Sequence, residues 1–104
     1  MKLELAATLI ALTEQLGSPT MHEEFYPLEW SWIVCNGEDA RDSLILHLYQ
    51  NGEVCLTYFD GFFLSYGFSF VLDLDKLKSL NIRAVALSLD KDDLVKELQA
   101  ILAK

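Results

Sequence analysis

Ser43-Leu44-Ile45-Leu46-His47-Leu48-Tyr49-Gln50-Asn51-Gly52-Glu53-Val54-Cys55-Leu56-Thr57-Tyr58 is the stretch from which the fold can be read. Two alternating runs flank an Asn-Gly turn, the strongest short-range hairpin signal. A two-residue loop at Asn51-Gly52 would set Leu48 beside Cys55 and Tyr49 beside Val54, scattering the apolar residues over both faces. A three-residue loop, Gln50-Asn51-Gly52, pairs Leu48 with Val54, Leu46 with Leu56 and Leu44 with Tyr58. One face is then apolar throughout. A slip of one residue exchanges every side chain between faces, so the alternation selects the longer loop.

The same reading extends downstream. With Phe59-Asp60-Gly61 as a second three-residue loop, Tyr58, Leu56 and Val54 meet Phe62, Leu64 and Tyr66 of a strand over Phe62–Leu72. Gly67 marks a candidate bulge, at which the stripe would switch faces. Upstream, Leu28–Cys35 alternates with Leu28, Trp30, Trp32 and Val34 on one side, which assigns both tryptophans to the core. An acidic, turn-rich loop, residues 36–42, joins this strand to the next. The opposite face holds Ile45, His47, Tyr49, Glu53, Cys55, Thr57, Phe63, Ser65, Gly67, Ser69 and Val71. A mixed face of this kind suits an antiparallel sheet covered on one side.

Helices bracket the sheet. Leu5, Leu9, Leu12 and Leu16 form one helical stripe, Gly17 suits a left-handed cap, and Pro19 stops the helix. After the sheet, Asp73 or Asp75 caps a short helix at about residues 75–80, ended by Asn81. Ile82–Ser88 reads as a fifth strand. Asp90 opens a last helix with the stripe Leu94, Val95, Leu98, Ile101 and Leu102. The expected fold is α+β: a two-layer sandwich, an antiparallel four-stranded meander plus a fifth strand, in the order αββββαβα. Both long helices cover one face, and residues 1–104 form a single domain.

Charge narrows the partners. The chain carries 16 acids and 8 bases, a net −8. Residues 1–75 hold twelve acids against two bases, Lys2 and Arg41, whereas residues 76–104 hold four acids and six bases. Phosphate and anionic-lipid binding both need Lys and Arg, so neither nucleic acid nor membrane is an expected partner. A negative field favours a basic protein. The hydrophobic share, 52%, lies above the usual 45–50% or so and leaves apolar surface for an interface. The apolar run Leu5–Leu12 is too short to span a bilayer, and without an A-x-A site it makes a poor signal segment. A cytoplasmic location is expected.

Searches for chemistry fail. There is no G-x-G-x-x-G, no G-x-x-x-x-G-K-[ST], no H-E-x-x-H and no C-x-x-C. His22-Glu23-Glu24 starts like the zinc motif, but position 26 is Tyr. The register places His47, Cys55 and Ser65 in one cross-strand row. A thiolate there would lack the positive surroundings that activate it. Cys35 and Cys55 lie two strands apart, beyond disulfide reach, and are expected as free thiols. Tyr66-Gly67-Phe68-Ser69-Phe70-Val71 is similar to the central-strand motif of RNA-recognition modules. It departs from it at Tyr66, where Lys or Arg is needed, and at Asp73. Those modules interleave strands and helices, whereas this chain runs four strands consecutively.

The expected function is a non-catalytic protein-binding module, in its most concrete form an immunity-type inhibitor neutralising a basic, nuclease-like toxin. Neither catalytic residues nor a metal or other cofactor is expected. The candidate partner-binding residues are Glu23, Glu24, Glu38, Asp39, Asp42, His47, Tyr49, Glu53 and Asp60: acids in loops and polar or aromatic side chains on the outer face. The loop aromatics Phe25 and Tyr26 are further contact candidates. The alternative is a homodimeric adaptor or secretion-chaperone-like protein, with Ile45, Phe63 and Val71 of the outer face as its interface.

Overall fold

The computed structural model describes residues 3–22, 29–36, 43–60 and 65–104, with the backbone alone described at 35–36, 60, 65–68 and 91–92. It is an α+β fold with a five-stranded open antiparallel sheet and helices on one face. The order is α1 (Leu3–Leu16), β1 (Thr20–His22), β2 (Glu29–Asn36), β3 (Ser43–Tyr49), β4 (Val54–Asp60), β5 (Ser65–Val71), α2 (Leu74–Lys78), α3 (Ile82–Ser88) and α4 (Lys91–Leu102). Strands pair in sequence order, β1-β2-β3-β4-β5.

The first hairpin has the expected register: Leu48 opposite Val54, Leu46 opposite Leu56, Leu44 opposite Tyr58. Gly52 sits at φ +89°, its N–H donates to the Tyr49 carbonyl (2.9 Å), and the Tyr49 N–H donates to the Glu53 carbonyl (3.0 Å). A glycine in the left-handed region closes the three-residue loop without steric cost.

The second hairpin departs from its expected register. Tyr58 lies opposite Phe68 and Leu56 opposite Phe70, not opposite Phe62 and Leu64. The displacement is an even number of residues, so it leaves the same face apolar, and alternation alone cannot choose between the two. What favours the longer register is the end of β5. Leu72 bridges Ala103, and the Asp73 N–H donates to the Leu102 carbonyl at 2.8 Å. The ladder shifts between Tyr58 and Phe59, whose partner is Tyr66, which leaves Gly67 as the extra, bulged residue. Ser65 therefore pairs with Asp60, and the partner of Cys55 is Val71.

The fifth strand is β1, at the edge beside β2; Ile82–Ser88 is a helix instead of a strand. Asn81 does not end the preceding helix but caps this one, its Oδ1 accepting from the Ala84 N–H at 3.1 Å. Ile82 and Ala86 are buried, with Val85 and Leu89 packed against the core. Over seven residues such a pattern fits both periods, and the cap decides for the helix. Asp73 caps α2 by accepting from the N–H groups of Asp75 (3.0 Å) and Lys76 (3.4 Å).

One core joins the layers. Leu5, Leu12 and Leu16 of α1 and Leu94, Leu98 and Leu102 of α4 pack with Trp30, Trp32, Leu44, Leu46, Leu48 and Leu56. Ile101, expected within the stripe of α4, is 38% exposed. Gly17, at φ +90°, ends α1 with its N–H donating to the Thr13 carbonyl (2.8 Å), and its own carbonyl accepts the Trp32 indole N–H (2.8 Å). A register shift between Ile33 and Cys35 makes Val34 the odd residue of β2. Arg83 of α3 meets this irregularity: Nε donates to the Val34 carbonyl at 3.0 Å, and Nη2 reaches the carbonyls of Ile33 (3.4 Å) and Leu16 (3.5 Å). One guanidinium thus satisfies a bulge and the C-terminus of a helix, where a cation is favoured. Among the described residues no helix is long and apolar enough to cross a membrane.

Candidate functional site

The helices occupy one face of the sheet, so polar and aromatic side chains gather on the other. Alternation sends His47 and Tyr49 to this face while Leu44, Leu46 and Leu48 enter the core. Pairing of β2 with β3 then brings Glu29 opposite Tyr49 and Ser31 opposite His47. Glu29 Oε1 and His47 Nδ1 are hydrogen-bonded, with side chains 15% and 17% exposed. A carboxylate only accepts, so Nδ1 carries the proton and Nε2 is the nitrogen left to other partners. The His47 and Tyr49 rings are near-parallel, 11° between planes, with centroids 6.1 Å apart. Exposed Glu53 follows at the base of the hairpin.

Two further polar groups lie beside this one. His22 Nε2 and Ser31 Oγ are 2.9 Å apart. Cys55 Sγ and Ser69 Oγ are also 2.9 Å apart, and the Thr57 hydroxyl donates to Ser69 Oγ at 3.3 Å. Cys55 is a free thiol, as expected, and it is buried. Its polar partner is Ser69, where the expected cross-strand row had Ser65. A hydroxyl beside an imidazole is half of a nucleophilic pair. Ser31 lies opposite His47 of β3 and opposite Thr20, the first residue of β1, at the end of the β1–β2 ladder. Among the described residues no three His, Cys, Asp or Glu side chains converge as a metal site.

Of the expected partner-binding residues, His47, Tyr49 and Glu53 come together at one end of β3 and β4. Glu23, Glu24, Glu38, Asp39 and Asp42 lie outside the described residues, as do Phe25, Tyr26 and Phe63. Asp60 is placed by its backbone alone, opposite Ser65. The residue that sequence reasoning missed is Glu29. Its position on the outer face follows from the alternation of Trp30 and Trp32, but its meeting with His47 requires the pairing of β2 with β3.

Charge divides along the chain. Residues 17–72, the strands and the segments between them, carry eight acids and one base. Residues 1–16 carry two acids and one base, and residues 73–104 carry six of each. None of the five strands contains Lys or Arg. Exposed apolar side chains border the outer face, Ile33 at 58% and Val71 at 38%, whereas Met21 of β1, 50% exposed, is paired with Trp30 of the core face. An open groove of about 850 Å³ lies at the rim, between the start of α1, the β3–β4 turn and α2. It mixes Glu4, Glu53, Asp73 and Asp75 with Lys78 and Lys104 and so selects neither sign of ligand. No family model, no curated protein and no solved structure matches the chain.

Proposed function

We propose that this protein is a cytoplasmic, non-catalytic binding module that captures a basic protein, in the manner of an immunity-type inhibitor of a nuclease-like toxin. The observation that carries the reading is the division of charge along the chain. Nearly the whole net charge of −8 belongs to residues 17–72, while the two helical segments are close to neutral. A strong net field of one sign steers an oppositely charged partner. A surface that binds the cationic active site of a nuclease competes with phosphate by presenting carboxylates.

The test is affinity capture from the native host with the immobilised full chain, eluted by a salt gradient. The expected partner is a cationic protein with nuclease activity that the chain inhibits, released by moderate salt because screening shortens the reach of its charges. Retention unchanged in about 1 M salt, where the Debye length is only about 3 Å, would count against the reading. The homodimeric adaptor remains a second reading on one observation, the exposed apolar Ile33 and Val71 at the margins of the outer face.

A further inference from the structure

We infer that Glu29, His47, Tyr49 and Glu53 form a reader for an arginine side chain of the cationic partner; the inference rests on the binding-module reading above. Near-parallel rings of Tyr49 and His47, 6.1 Å apart, lie beside the Glu29 carboxylate on a sheet whose strands bear no Lys or Arg. No cation on a strand therefore competes for Glu29, while Glu53 borders the rim groove that Lys78 and Lys104 also line. Guanidinium is flat, weakly hydrated and forked: it stacks on an aromatic ring and presents paired N–H groups to a carboxylate in the same plane. Ammonium, compact and strongly hydrated, uses only the charge. His47 anchors one Glu29 oxygen through Nδ1, which holds the carboxylate in one orientation without an opposing lysine. Glu53, exposed just after the turn and joined to Tyr49 through its backbone carbonyl, adds a second carboxylate at this end of the hairpin. Ile33 and Val71 supply the apolar margin that a protein partner would cover.

The experiment is a titration of the isotope-labelled full chain with oligo-arginine and oligo-lysine peptides of equal length, at low salt, followed by amide and side-chain NMR. Oligo-arginine is expected to bind several-fold more tightly, with the largest shifts at Glu29, His47, Tyr49 and Glu53. Glu29→Gln keeps the shape and an acceptor for His47, and Glu53→Gln changes an exposed position. Each is expected to weaken oligo-arginine binding about threefold to fivefold, as partly exposed charge and stacking contacts do. Asp93→Asn, an exposed change on the helical layer, is expected to leave it unchanged. Equal affinity for both peptides, or shifts and losses centred on the helices, overturns the arginine reader and leaves the binding module standing. Failure of both peptides to bind at low salt overturns the reader and the acidic-capture reading together.

Discussion

Arg83 does at the scale of one residue what a ladder does elsewhere. Val34 is the odd residue of β2, and its carbonyl is met by the guanidinium at 3.0 Å while the same group reaches Leu16 at the end of α1. Arg83→Ala should lower unfolding free energy by about 1–2 kcal/mol in urea melts, since a charge-assisted bond to backbone is lost. Arg83→Lys should recover only part of this, because one ammonium cannot imitate a fork spread over three carbonyls. Cys55 makes a different kind of claim. It is 9% exposed and its sulfur meets Ser69 Oγ. In a Cys35→Ser background, native Cys55 should be alkylated far more slowly than after unfolding, since a buried thiol reacts only when the sheet opens locally. Rapid native alkylation would show that β4 and β5 separate readily. Thr57, at 3% exposure, reinforces the same point, because its hydroxyl shares the Ser69 oxygen.

Two elements closed by local rules can be tested by single substitutions. Gly52→Ala places a Cβ where nothing lies within 4 Å, yet φ is +89°. The expected loss of about 1 kcal/mol is therefore backbone strain and not a clash. Asn81→Ala removes the bond to the Ala84 N–H that caps α3 and should cost about 1 kcal/mol, with a matching loss of helical ellipticity in partly denatured protein. The elements also show what was legible from sequence. The β3–β4 register could be read because a tight turn and an alternating face constrain it at once. The β4–β5 register could not, since Phe62, Leu64, Tyr66, Phe68, Phe70 and Leu72 form one even-spaced series and a shift by an even number preserves the core. Ile82–Ser88 misled because seven residues are too few to separate a period of two from one of 3.6. Within the candidate site, His47, Tyr49 and Glu53 were accessible from one hairpin. Glu29 was not, because the hydrogen bond that defines its role joins residues 29 and 47 across a loop whose length fixes no register.

At the scale of the whole molecule, the two functional readings respond to salt in opposite directions. A symmetric homodimer apposes the same patch on both copies, so a sheet without Lys or Arg would face its own carboxylates across the two-fold axis. Added salt screens that repulsion and strengthens the apolar contact through Ile33 and Val71. A basic partner instead loses attraction as salt rises, chiefly through slower association, since long-range steering is the part that screening removes first. Sedimentation of the chain alone and stopped-flow association with its captured partner, each from about 50 mM to about 500 mM salt, separate the cases. The expected outcome is a monomer at both ends of the range and an association rate falling at least tenfold, with a dissociation rate that changes much less. A mass that grows with salt would transfer the exposed apolar margin to a dimer interface. The acidity of residues 17–72 would then hold copies apart at low salt instead of steering a partner.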